Sequence, residues 1–167
     1  EPTGPDRYRY HDLTRVFALE AASETDSAQT LAAGTGRTLA AYADLLAQAA
    51  AAARPGYLDD PPAIRDFAGP DEALAWLDEE CRSVAGLIVQ AGSGSADAVG
   101  VAAEMLHCVQ WYLRSRGHWQ LWRDAASAVI DGAIRTGDTA AELVGRQSSG
   151  LLAQLTGRFD ESDADLS

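Results

Sequence analysis

The feature that most limits the fold of this 167-residue chain is a helical apolar period that recurs between glycine breaks. Leu74, Leu77, Cys81, Val84, Ile88 and Ala91 step by three and four, and Gly92-Ser93-Gly94-Ser95 ends the run. Val99, Ala102, Leu106, Val109 and Leu113 repeat the pattern up to Gly117. Gly137 and Gly157 then bound two further segments of helix length. Such steps put apolar side chains on one face of an α-helix, whereas a half-buried strand needs strict alternation. Each face must be covered by another element, so the spacing dictates helix packed on helix. The fold is predicted to be all-α.

Local signals place the helix ends. Pro70 at a first helical position, with Asp71 and Glu72 in the first turn, opens one helix. Ser95 caps the next, which is predicted to reach Arg116. Two more follow at about residues 119–135 and 140–155, the second opened by a capping box of Thr139 with Glu142. Upstream, an Ala-rich helix carries Leu31, Thr35, Thr38, Tyr42, Leu45, Leu46 and Ala49 on one face, and Arg54-Pro55-Gly56 stops it. Pro55, Pro61, Pro62 and Pro70 crowd into residues 55–70, which marks a long loop. At the start, Arg7-Tyr8-Arg9-Tyr10 alternates charge and aromatic as a short edge strand does. Asp12 is placed to cap a helix over residues 13–22, and the polar residues 23–27 interrupt the path.

Composition narrows the function classes. Twenty-five acidic residues outnumber 13 basic ones, all Arg, for a net charge of −12. That surface repels polyanions, so direct contact with nucleic acid is not expected. Nearly a fifth of the chain is Ala, the best helix former, while Lys and Asn are absent, as a GC-rich coding sequence produces. The longest run of small apolar residues, 49–53, is too short to span a bilayer. Cys81 and Cys108 fall on different predicted helices without CxxC spacing, so two reduced thiols in a cytoplasmic protein are expected. The opening Glu1-Pro2-Thr3-Gly4-Pro5 reads as a linker or a cut end.

Gly117-His118-Trp119 and Gly157-Arg158-Phe159 recur 40 residues apart, and Trp111 in the first unit falls on Leu151 in the second. This is the pattern of helical hairpins stacked in a TPR-like right-handed array. The glycine allows the tight interhelical turn, and the aromatic after it is expected to plug the gap within a hairpin.

Tyr8-Arg9-Tyr10-His11-Asp12-Leu13-Thr14-Arg15-Val16-Phe17-Ala18 resembles the end of the winged-helix subdomain in signal-transduction ATPases of the NB-ARC type. The family motif there is Met-His-Asp followed by Leu-x-Arg-x-Tyr-Ala; Tyr10 stands for the Met and Phe17 for the Tyr. Glu72-Ala73-Leu74-Ala75-Trp76-Leu77-Asp78-Glu79-Glu80 resembles a segment further along the same proteins, and residues 117–157 resemble their first TPR-like repeats. These are the actinobacterial SARP or AfsR-like regulators, which join a DNA-binding region, an ATPase and a TPR-like array. The resemblance implies three parts: the end of the winged-helix subdomain at 1–22, a linking helix and Pro-rich loop at 23–69, and truncated TPR-like repeats at 70–167. It also implies that His11 contacts the terminal phosphate of bound ADP in the parent protein, where ADP or ATP binds with Mg. No GxxxxGK[ST] loop is present here, so no cofactor is expected on this segment.

The remaining polar clusters are weaker candidates. Asp78, Glu79 and Glu80 point to different helix faces and are expected to be solvated. His107, Cys108 and His118 match no zinc-ligand spacing, so no metal is expected. Trp111, Trp119 and Trp122 are expected to be core or groove residues, and with Arg114 and Arg123 they are candidates for a groove that receives an acidic partner. Together these readings describe a non-catalytic sensor or interaction segment of a transcriptional regulator. Its expected partners are the adjacent NB-ARC domain in the same chain and a protein or small-molecule effector, with self-association through an open repeat face. A free-standing TPR-like peptide-binding scaffold and a helical-bundle enzyme with an acidic site are the alternatives.

Overall fold

The computed structural model describes residues 2–4, 7–8, 20–21, 25–58 and 67–157. The chain divides into two compact units, Glu1–Thr38 and Leu39–Ser167. In the first, β1 (Pro2–Gly4) pairs antiparallel with β2 (Arg7–Tyr8), with Pro2 opposite Tyr8. The expected strand is therefore present at Arg7 and Tyr8. His11, Asp12 and the helix predicted over 13–22 lie outside the described residues, apart from a helical turn at 20–21. Ser27 starts the first long helix, α1 (Ala28–Ala53), by accepting a bond from the Thr30 amide at 3.1 Å. Residues of α1 from Leu39 onward belong to the second unit.

Four more helices complete that unit: α2 (Pro70–Gly92), α3 (Ala96–Ser115), α4 (Trp119–Thr136) and α5 (Thr139–Thr156). The described residues are all-α beyond the N-terminal hairpin. From α2 to α5, each helix packs on the next, and α2 packs also on α4 and α3 on α5. Neighbour-plus-next contact is how two stacked helical hairpins bury their stripes. The predicted core of α3 is fully buried: Val99, Ala102, Leu106, Val109 and Leu113 have no exposed surface. Leu77, Val84 and Ile88 from α2, Trp122 and Val129 from α4, and Leu46 and Ala49 from α1 join the same core.

Glycines act here in two ways. Gly137 and Gly157 end α4 and α5 in the left-handed region, at φ 73° and 77°, where a side chain is strained. Gly92 and Gly132 instead let two backbones meet. A Cβ on Gly132 would lie 2.3 Å from the Gly92 carbonyl oxygen, and one on Gly92 would lie 2.5 Å from the Ala128 carbonyl oxygen. Arg135 seals this crossing by donating to the carbonyls of Gly92 at 3.0 Å and Gly94 at 2.8 Å, satisfying the C-terminal end of α2.

Four expectations are corrected. The cap of α5 is Asp138, whose Oδ1 accepts from the amides of Ala140 and Ala141 at 3.1 and 3.0 Å, and Thr139 is the first helical residue. Trp119 does not plug its hairpin; it is 38% exposed and stacks on Trp122, which fills the gap instead. Phe159 lies outside the described residues. Leu31, Thr35 and Thr38 are exposed, so only the later turns of the α1 stripe are buried. Glu80 is buried at 4% exposure, not solvated, because it lies one helical turn from both Trp76 and Val84 on the inner face of α2.

Candidate functional site: a cavity walled by three helices

The second unit holds a cavity of about 930 Å³. Its walls come from three places far apart in sequence. The later part of α1 gives Ala43, Asp44 and Ala47, with Leu58 just beyond the helix. One face of α3 gives Gly100, Ala103, Glu104, His107 and Cys108, a spacing of three and four that brings all five to one side. The start of α5 gives Asp138, Ala140, Ala141 and Val144. Short side chains on all three helices leave the space between them open.

Among the described residues, three carboxylates, Asp44, Glu104 and Asp138, stand on this wall and no arginine lines it. Among the described residues, neither Asp44 nor Glu104 has an ion-pair or hydrogen-bond partner. Asp138 spends one oxygen on the α5 cap. Burial pushes the Cys108 thiol up to about 11, and the Glu104 carboxylate adds to the shift. A thiol held neutral in this way is an inert wall group at physiological pH, not a nucleophile.

An aromatic cluster ties the loop after α1 to α3 beside the cavity. The Tyr57 ring stacks on His107 with centroids 5.8 Å apart and meets Trp111 edge-on at 6.1 Å. Its hydroxyl donates to the His107 carbonyl at 2.9 Å, and the Arg54 guanidinium lies 4.9 Å from its ring centre. Burial raises the Tyr57 pKa, so the hydroxyl stays a donor.

A second polar cluster joins α2 to the α3–α4 turn. Tyr112 donates to Asp78 Oδ1 at 2.5 Å, and Arg116 donates to Asp78 Oδ2 at 2.8 Å. Burial and the bond to Asp78 hold the Tyr112 phenol well above its ordinary value. The Cys81 sulfur lies 3.8 Å from His118 Nε2, and burial raises the Cys81 thiol too. A neutral thiol beside an imidazole and a carboxylate-bound tyrosine join α2 to the α3–α4 turn.

The residues singled out from sequence are therefore dispersed. His107 and Cys108 line the cavity while His118 sits by Cys81, and among the described residues no three metal-binding side chains cluster. Trp122 is fully buried and donates to Ser148 Oγ at 2.7 Å, which removes it from any groove. Arg114 and Arg123 are exposed, and Arg123 donates to Gln120 at 3.2 Å. Asp44 and Glu104 were missed; the signal for Glu104 was its spacing of three and four to His107 and Cys108.

Among curated proteins, the chain is similar to the regulatory protein AfsR of Streptomyces griseus, with 31% identity over 177 aligned residues. The match takes in 99% of this chain but 18% of the relative, so the chain spans less than a fifth of that protein's length. Neither a protein-family profile nor a solved structure matches it. Among the described residues no helix is long and apolar enough to cross a membrane.

Proposed function

We propose that this chain is a non-catalytic helical sensor segment of a multidomain transcriptional regulator of the SARP or AfsR-like group, coupling ligand or partner binding to an adjacent NB-ARC ATPase. The observation that carries this reading is the end-to-end similarity to a far longer regulatory protein. The stacked hairpins supply what a sensor needs, since bound ligand on such an array shifts how neighbouring helices pack. His11 faces the terminal phosphate of ADP in this reading, as the Tyr-His-Asp resemblance implies, with the phosphate loop and Mg site supplied by the preceding domain.

The test is the reading frame that encodes the chain. A GxxxxGK[ST] loop upstream is expected; a frame without one overturns the reading. The chain by itself is expected to bind neither ADP nor ATP in calorimetry, because its charge of −12 opposes a polyphosphate. Micromolar nucleotide affinity for the chain alone contradicts the assignment.

A further inference from the structure

We propose that the cavity between α1, α3 and α5 binds a small hydrophobic cation, an amine or onium group carried on an apolar body. Its volume of about 930 Å³ is that of a pocket for a drug-sized molecule. Ala43, Ala47, Ala103 and Val144 give such a body apolar contact. Asp44 and Glu104 approach it from different helices as carboxylates without partners among the described residues. Among the described residues no arginine lines the cavity, so none of them compensates its carboxylates from within. An anion is repelled by that wall. A second copy of the chain is disfavoured as occupant by its own charge of −12. A cation with an apolar body complements both the alanine surface and the carboxylates, half-buried Asp44 and exposed Glu104.

The assignment deepens the sensor reading and rests on it only for what the bound cation regulates; binding itself is tested on this chain. Calorimetry compares three probes of similar shape: tetraphenylphosphonium, neutral triphenylphosphine oxide and anionic tetraphenylborate. One phosphonium per chain is expected, bound roughly tenfold or more tighter than the oxide, with no borate binding. Glu104→Gln is expected to weaken the phosphonium roughly tenfold. Asp131→Asn makes the same change in net charge at an exposed position of α4 outside the lining and is expected to change affinity by less than about twofold, since distant charges are screened. Ala140→Trp, at an exposed position on the lining, is expected to block the phosphonium and the oxide alike. Equal affinity for phosphonium and oxide, equal loss in the Glu104 and Asp131 variants, or no phosphonium binding overturns the proposal. Phosphonium binding in a chain whose reading frame lacks a phosphate loop keeps the site and removes the regulator reading.

Discussion

Where α2 packs on α4, Gly92 and Gly132 bring two backbones together; where α1, α3 and α5 surround the cavity, Ala43, Ala47, Ala103 and Ala140 leave about 930 Å³ open. Both regions are built from the smallest residues, and the outcome is opposite. Glycine permits the helices to close until carbonyl oxygens occupy the space a Cβ would need. Alanine keeps its methyl, and when the facing helices also carry alanine, no side chain reaches across. Dispersion falls off steeply with such a gap, so the first region is cohesive and the second is free to accept an occupant. Small residues alone therefore specify neither contact nor cavity. The distance between the helix axes decides.

The largest expected effect breaks the tight side. Gly132→Ala places a methyl 2.3 Å from the Gly92 carbonyl oxygen and 2.9 Å from Val99 Cγ2, neither of which is the end of a flexible chain. The helices must separate, at a cost of about 3 kcal/mol in urea unfolding. Ala43→Leu extends into the cavity instead and is expected to change stability by less than about 0.5 kcal/mol. Equal costs for the two would dissolve the contrast.

The next effect asks how dry the open side is. Cys108 titrates at about 11 in the folded chain against an ordinary 9.0. Between those values the unfolded chain has released its proton and the folded chain has kept it, so rising pH favours unfolding. The contribution is fully present below pH 9 and lost by about pH 11. The wild-type chain is expected to lose roughly 2–3 kcal/mol more across that window than Cys108→Ala, in which the raised Cys81, Tyr57 and Tyr112 groups still act. Matching pH slopes in the two proteins would mean that water reaches the thiol.

These regions also differed in how far they were legible. The α3 stripe is written in its period, and all five expected residues are fully buried. The closing glycines were legible as helix ends because Gly137 and Gly157 follow apolar runs. Gly132 and Gly145 were not, since a glycine within a helix pattern reads as a weak point until its neighbour is known. A Cβ on Gly145 would meet Ile130 Cγ1 at 2.7 Å, a contact with the preceding helix that no local signal announces. Trp119 and Trp122 share one helix, and the sequence favoured the one after the glycine, whereas the helical turn points the other inward. The cavity was invisible because alanine stripes look the same whether they face a side chain or a void.

A smaller effect sharpens the cohesive side at the α4–α5 contact. Ser148 is 1% exposed and accepts from the Trp122 indole nitrogen. Ser148→Ala removes the acceptor and leaves a buried N–H without a partner, at a cost of about 1–2 kcal/mol. Trp122→Phe with Ser148→Ala removes both polar atoms. The pair is expected to show coupling, with the double variant less unstable than the sum of the singles. Simple additivity would show that the bond contributes nothing beyond packing.

The smallest effect separates two adjacent residues that sequence alone leaves interchangeable. Asp138 and Thr139 are both capping types, but the Asp138 carboxylate accepts from two amides and Thr139 is already inside the helix. Asp138→Ala is expected to cost about 1 kcal/mol, while Thr139→Ala should be close to neutral because Ala is the better helix former. Asp138→Asn preserves the cap geometry but removes a charge from the cavity wall, so its stability should stay near wild type. If Thr139→Ala proved the costly change, the capping box with Glu142 would be restored and the start of α5 would shift by one residue. That shift would rotate Ala140, Ala141 and Val144 relative to the cavity and with them the carboxylate that Asp138 presents there.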